Sequence, residues 1–246
     1  MAIQFSKSNM MIVAICIFIV SALDVEAESR NSGVFQYYKI SLRWPRSYCN
    51  TDHAGNCQGP FLRNFTIHGL WPMYFADTRV PSYNRSGCTK FEPVPSANIT
   101  RQLLSPILND MVRYWPSLPS YDNITASEEF WKLQWEGHGM CSQYPQYPIR
   151  YFKTALNFIK HNNLLTILKR GKIYSNNEYY TRIEISRVLR DFFGARVEIR
   201  CSVSRQDALQ LSEIRVCIEK WGDPLDCNRE FSGCPENEFI QFPSAN

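Results

Sequence analysis

Residues 65–72 read Phe65-Thr66-Ile67-His68-Gly69-Leu70-Trp71-Pro72, an apolar run with one imidazole at its centre. The β-branched and aromatic residues predict a short strand from Phe65 to Leu70, ended by Pro72, which has no N–H to give a ladder. Side chains alternate along a strand. His68 is therefore expected on one face with Thr66 and Leu70, opposite Phe65 and Ile67. Gly69 would let another group approach the backbone beside the ring. Upstream, Val34 to Leu42 alternates, with Val34, Gln36, Tyr38, Ile40 and Leu42 on one side and Phe35, Tyr37, Lys39 and Ser41 on the other. Aromatic residues on both sides predict a strand with two covered faces, central in a sheet.

Downstream, residues 72–97 are rich in Pro and read as surface loop. Helical spacing runs from Thr100 to Tyr114, before Pro116. Ser127, followed by Glu128 and Glu129, marks a second helix start, because acidic residues suit the positive end of the helix dipole. That helix is expected to reach about Gly139. Phe152, Ala155, Leu156 and Ile159 form the stripe of a third helix, and Ile185, Leu189 and Phe192 that of a fourth. Val197, Ile199 and Cys201 then alternate with Arg196, Glu198 and Arg200. Ile214, Val216 and Ile218 alternate with Arg215, Cys217 and Glu219. These predict two late strands, antiparallel neighbours. Strands at both ends with helices between them give an α+β fold: one domain, an antiparallel sheet with helices packed around it.

The chain has 246 residues, 44% of them apolar and 20% charged, which excludes a disordered polymer. Eleven Gly and 14 Pro exclude a collagen. A formal charge of +4 permits a polyanionic partner without demanding one. Near the start, the run Met10–Val20 is too short to span a bilayer and suits the apolar core of a signal peptide. Cleavage after Ala22 or Ala27 fits, and Ala27 is favoured. An uncleaved anchor is the competing reading. Residues 1–27 are thus assigned as signal peptide and 28–246 as the folded domain. No later stretch approaches a membrane span, so a secreted, soluble, extracellular protein is expected. Removal of Cys16 turns nine Cys into an even eight, as an oxidising compartment requires. Eight Cys allow about a hundred pairings. Zinc competes for these thiols, but paired CxxC or HxxxH spacing is missing, so no metal is expected. Four sequons, at Asn64, Asn84, Asn98 and Asn123, predict N-glycans, with Asn64 set apart because it abuts a segment expected to be buried.

Four His remain to be placed. His53, in a polar loop, and His161, at a helix end, read as exposed residues. His68 and His138 have unusual neighbours. His138 lies in Phe130-Trp131-Lys132-Leu133-Gln134-Trp135-Glu136-Gly137-His138-Gly139-Met140-Cys141-Ser142, where Gln134 is four residues before it and shares its helical face. Two rigidly held imidazoles suit acid–base chemistry, one accepting a proton while the other donates. Metal-free RNA cleavage uses such a pair: one ring takes the 2′-OH proton and the other protonates the departing 5′-oxygen. Two structural His held by core hydrogen bonds would give the same sequence.

The stretch FTIHGLWP matches in full the first active-site segment of the ribonuclease T2 family, and FWKLQWEGHGMCS resembles the second. Within that family the chain most resembles the plant S-ribonucleases of pistil self-incompatibility, with similarity to S-like ribonucleases as well. The resemblance implies a secreted, monomeric endoribonuclease that needs no cofactor and cleaves single-stranded RNA to 2′,3′-cyclic phosphates. His138 would be the general base and His68 the general acid. Gln134 would occupy the family's acidic position. Trp71 would stack on a base, and Leu133 stands where some relatives place a phosphate-binding His. The implied disulfides are Cys49–Cys57, Cys88–Cys141, Cys201–Cys234 and Cys217–Cys227. The segments Ala76–Cys88 and Trp115–Asn123 would carry allele identity and meet a pollen F-box partner.

Two positions depart from the family's pattern. Gln134 carries no charge, and Gly137 replaces a Lys that would stabilise the extra charge of the phosphorane. Lys132 is six residues before His138 and off its face, and Glu136 faces away. The competing expectations are a catalytically weakened or inactive glycoprotein for recognition or storage, and an S-like ribonuclease for phosphate scavenging or defence.

Overall fold

The computed structural model describes residues 34–51, 57 and 62–245. The expected signal peptide and His53 lie outside the described residues. In chain order the elements are β1 (Tyr37–Arg43), α1 (Pro45–Cys49), β2 (Thr66–Tyr74), β3 (Thr78–Arg79), α2 (Tyr83–Ser86), α3 (Leu108–Tyr114), α4 (Ile124–Gly137), α5 (Pro148–His161), α6 (Leu164–Arg170), β4 (Tyr179–Tyr180), α7 (Arg182–Phe193), β5 (Glu198–Val203), β6 (Leu209–Ile218), β7 (Pro224–Leu225), β8 (Phe231–Ser232) and β9 (Ile240–Gln241). The main sheet runs β3-β2-β1-β6-β5-β8, and its long strands are antiparallel.

β1 is central, between β2 and β6, and its alternation sorts the two faces of the sheet. Tyr38, Ile40 and Leu42 are fully buried against the helices, in one core with Ile67, Leu70, Ile214 and Val216. Trp131 and Trp135 of α4 and Tyr151 and Phe152 of α5 complete that core. Two of its polar ends find backbone carbonyls: Tyr151 Oη donates to the Leu70 carbonyl at 2.8 Å, and Trp131 Nε1 to the Trp115 carbonyl at 2.6 Å. The other face, carrying Lys39, Ser41, Glu198, Glu213 and Arg215, is polar.

Four disulfides join Cys49–Cys57, Cys88–Cys141, Cys201–Cys234 and Cys217–Cys227. The last two staple β5 and β6 to the C-terminal segment. All four sequon asparagines, Asn64 included, are exposed. Among the described residues no helix is long and apolar enough to cross a membrane.

Several boundaries differ from expectation. β1 begins at Tyr37 rather than Val34. β2 does not stop at Pro72 but runs through it to Tyr74. The Met73 carbonyl accepts from Gln36 N while the Pro72 carbonyl accepts from Val80 N, so Pro72 presents its missing N–H to the edge side and no β1 ladder bond is lost. The stretch from Thr100 is turn and 3-10 helix, and α3 forms only from Leu108, after Pro106. α4 starts three residues before Ser127, because Asn123 caps it, accepting from Thr125 N at 2.9 Å and Ala126 N at 3.1 Å. In α7, Phe192 is exposed and does not join the buried stripe of Ile185 and Leu189.

Candidate active site

A bulge in β2 places His68. Ser41 of β1 lies opposite Gly69 and Leu42 opposite Ile67, so His68 is an extra residue without a partner of its own. A bulge re-aims side chains. Ile67 and Leu70, three apart, both enter the core, whereas His68 turns to the polar face. The expectation that Leu70 shares the face of His68 is corrected by this one-residue slip.

On the polar face, His68 Nδ1 lies 2.9 Å from Glu213 Oε1. Glu213 is almost wholly buried and is gripped from three other sides. Ser41 Oγ donates to it at 2.9 Å, Arg43 Nε at 3.1 Å and Arg215 at 2.7 Å. Burial pushes the Glu213 carboxyl up, but His68, Arg43 and Arg215 outweigh it and hold the group well below the usual carboxylate range. Arg215 also donates to Glu198 at 2.9 Å, and Lys39 bridges Glu198 (2.8 Å) and Asp77. For His68, burial lowers the pKa. The adjacent Glu213 carboxylate opposes this, and the net shift is downward. These groups floor a cleft of about 400 Å³ whose walls include Trp71, Arg79, Arg200 and Arg229.

His138 arrives from the helical side. It is the residue at which α4 ends (φ −144°, ψ −47°), with its N–H on the Gln134 carbonyl at 3.1 Å. It therefore does not continue the helical face of Gln134. Trp135 anchors the last turn through Nε1 on the Val94 carbonyl at 2.7 Å. A Cβ at position 139 would collide with the Trp135 ring, so only glycine lets the chain turn this tightly. The Cys88–Cys141 bridge then pins the turn. Burial first, then the charges of Arg79 and His68, depress the His138 pKa to about 3, so this ring is neutral over most of the pH range.

The two imidazoles meet at one indole. The Trp71 ring centroid is 5.2 Å from that of His68 and 5.9 Å from that of His138. Over Gly69, Trp71 Nε1 and the Gln134 amide oxygen converge so closely that any Cβ at position 69 would strike both. Trp71 Nε1, Gln134 Oε1 and His138 Nδ1 are buried without hydrogen-bond partners. Unpaired buried polar atoms are costly, and three around two imidazoles mark a place for a polar ligand. The Gln134 amide can turn to present N–H instead of oxygen. Among the described residues there is no group of three or more His, Cys, Asp or Glu side chains placed to hold a metal ion.

Trp71 does not present a free face for a base. It is 4% exposed, and the guanidiniums of Arg79 and Arg215 lie 5.1 and 5.2 Å from its ring centre. Leu133, by contrast, is exposed and lines a largely apolar groove of about 410 Å³ with Ile67, Pro116, Leu118 and Phe130, and with Arg43 at the junction with the charged cleft. Position 137 opens to empty space. Lys132 is held by Glu128 and Glu129 at 3.2 and 2.7 Å, away from His138. His161 is exposed at the end of α5. Sequence reasoning missed Glu213, Arg215, Lys39 and Arg79. For Lys39, Glu213 and Arg215 the polar half of the alternation in β1 and β6 was the only signal, and it resembles an ordinary solvated face; Arg79, in a two-residue strand within a Pro-rich stretch, gave none.

The sequence profile of the Ribonuclease T2 family matches residues 35–227. Ribonuclease 1 of Arabidopsis thaliana is 30% identical over 224 residues, covering 89% of this chain and 91% of that protein. A ribonuclease-like storage protein of Panax ginseng is 26% identical, covering 95% and 92%. Among solved structures, the Nicotiana alata gametophytic self-incompatibility associated SF11-RNase superposes with a TM-score of 0.69 at 27% identity, covering 85% of this chain and 99% of that one.

Proposed function

Because the chain belongs to the ribonuclease T2 family, an endoribonuclease family, we propose that it cleaves single-stranded RNA by transphosphorylation between His138 and His68. His138, neutral because its pKa is depressed to about 3, removes the proton from the ribose 2′-OH. The 2′-oxygen forms its bond to phosphorus as the bond to the 5′-oxygen breaks. His68 gives its proton to that oxygen, leaving a 2′,3′-cyclic phosphate and a free 5′-OH. Glu213, at 2.9 Å, orients the His68 ring and favours its charged form. Trp71 Nε1 and Gln134 offer hydrogen bonds to the phosphate, and the groove of Leu133 and Phe130 offers an apolar wall for a base.

One observation carries the proposal: two imidazoles from distant elements flank one indole, amid buried polar atoms that lack partners. Purified protein incubated with polymeric RNA and EDTA is expected to cleave it, and His68→Ala to abolish cleavage. Equal cleavage by both proteins would indicate contamination and overturn the assignment.

Secretion and the pistil self-incompatibility role belong to the same proposal. Four disulfides suit an oxidising compartment, and four exposed sequons suit a glycoprotein. The Nicotiana alata structure is of a protein associated with that role. Exchange of residues 76–88 and 115–123 between two alleles would then move rejection specificity, through a pollen F-box partner. A second reading is a non-catalytic storage or recognition protein. The open space at Gly137 favours it, as does the likeness to the ginseng storage protein. Loss of all metal-free cleavage in the wild type would select it.

A further inference from the structure

The floor of the charged cleft is electrically balanced. Lys39, Arg43 and Arg215 face Asp77, Glu198 and Glu213, and every one of these cations is tied to a carboxylate. A phosphodiester carries one negative charge, and the phosphorane formed as the 2′-oxygen adds carries two. Neither the floor nor α4 can answer that second charge. Lys132 is bound to its own helix, and position 137 is glycine.

Three cations on the rim, Arg79, Arg200 and Arg229, pair with no carboxylate among the described residues. Arg79 is set apart by position. It projects from the two-residue strand β3, with its guanidinium 5.1 Å from the centre of the Trp71 ring that both imidazoles flank. Its charge also reaches His138. A planar guanidinium matches two phosphate oxygens at once.

We propose that Arg79 grips the non-bridging oxygens of the phosphate held between His68 and His138, and is a catalytic residue of this chain. The inference rests on the ribonuclease proposal for what the site does, but it can be tested by binding alone. In metal-free buffer, wild type, Arg79→Ala and Arg79→Lys would each be titrated calorimetrically with a nucleoside 3′-monophosphate and with the matching nucleoside, and assayed on polymeric RNA. Arg79→Ala is expected to weaken the monophosphate at least about tenfold without changing the nucleoside, and to lower kcat by about 10²-fold. Arg79→Lys should recover part of both. Removal of the guanidinium should also move the acid limb of the kcat/KM profile upward, a change that mere loosening of β3 would not produce. Monophosphate affinity and kcat that match the wild type in Arg79→Ala overturn the inference while the ribonuclease proposal stands. Arg79-dependent binding without RNA cleavage supports the phosphate grip and overturns the ribonuclease proposal. Absence of both in the wild type overturns both.

Discussion

The two histidines of this site are held in opposite ways. His68 sits in the middle of a strand, on a bulge, with a buried carboxylate 2.9 Å behind it. His138 sits where a helix has just ended, and the charges that act on its ring are those of Arg79 and His68 rather than of a carboxylate. A carboxylate favours the imidazolium and an unsupported buried ring favours the neutral form. Two copies of one residue type thereby acquire different protonation preferences, which is the condition for an acid and a base to act in one turnover. Whether that asymmetry is real can be tested from either ring.

The largest expected effect is on catalysis itself. Replacement of either His by Ala should lower kcat on RNA by about 10²–10⁴-fold. A substrate whose 5′-alcohol is replaced by a nitrophenol leaving group separates the two, because that group departs without a proton. His68→Ala should recover most of its rate on the activated ester and His138→Ala should not. Equal deficits on both substrates would break the assignment of roles.

Glu213 offers the next test. In Glu213→Gln, Arg215 loses one of its two carboxylate partners, Arg43 loses its own, and His68 loses its brace. Breaking a buried pair typically costs about 3–5 kcal/mol, measurable by urea unfolding near neutral pH. The pH sign follows from the depressed carboxyl: its contribution is present above the unfolded pKa and is lost as pH falls through the folded value. The variant should lose least, relative to wild type, in strong acid. A stability deficit that grows on acidification would contradict this.

The pH–rate profile sharpens the comparison further. Under the proposed mechanism the free enzyme is competent when His138 is neutral and His68 is charged. With His138 near 3 and His68 below its ordinary value, kcat/KM should peak on the acid side of neutrality. Glu213→Gln should draw the alkaline limb to lower pH and leave the acid limb in place. A peak above neutrality would contradict the downward shift of both rings. The smallest effect expected is at position 137. A Lys there meets open space, so Gly137→Lys should fold normally and raise kcat a few-fold where charge stabilisation limits turnover. No change would indicate that Arg79 already supplies that charge.

The sequence made visible what is local. Alternation identified β1, β5 and β6, and the helical stripe of α5 followed from its own residues. The likeness of 65–72 and 130–142 to one family brought His68 and His138 together. What stayed hidden depends on partners far along the chain. Glu213 is 172 residues from Ser41 and is recognisable as a brace for His68 only once β6 lies beside β1. The bulge is a property of two strands and not of one, so strict alternation misplaced Leu70. Trp71 looked free to stack because nothing in its segment reveals that Arg79 and Arg215 would reach its ring. Asn123 looked like a sugar acceptor alone, yet it also caps the helix that ends at His138.

The extra residue in β2 makes the site sensitive to length as well as to composition. If one position between Ile67 and Leu70 were deleted, the strand would return to strict two-residue periodicity. Ile67 and Leu70 would then be two apart and would both still enter the core, and the one residue left between them would face the polar side. A homologue that lacked Gly69 would keep the imidazole on the polar face and lose instead the bare backbone over which Trp71 Nε1 and the Gln134 amide converge.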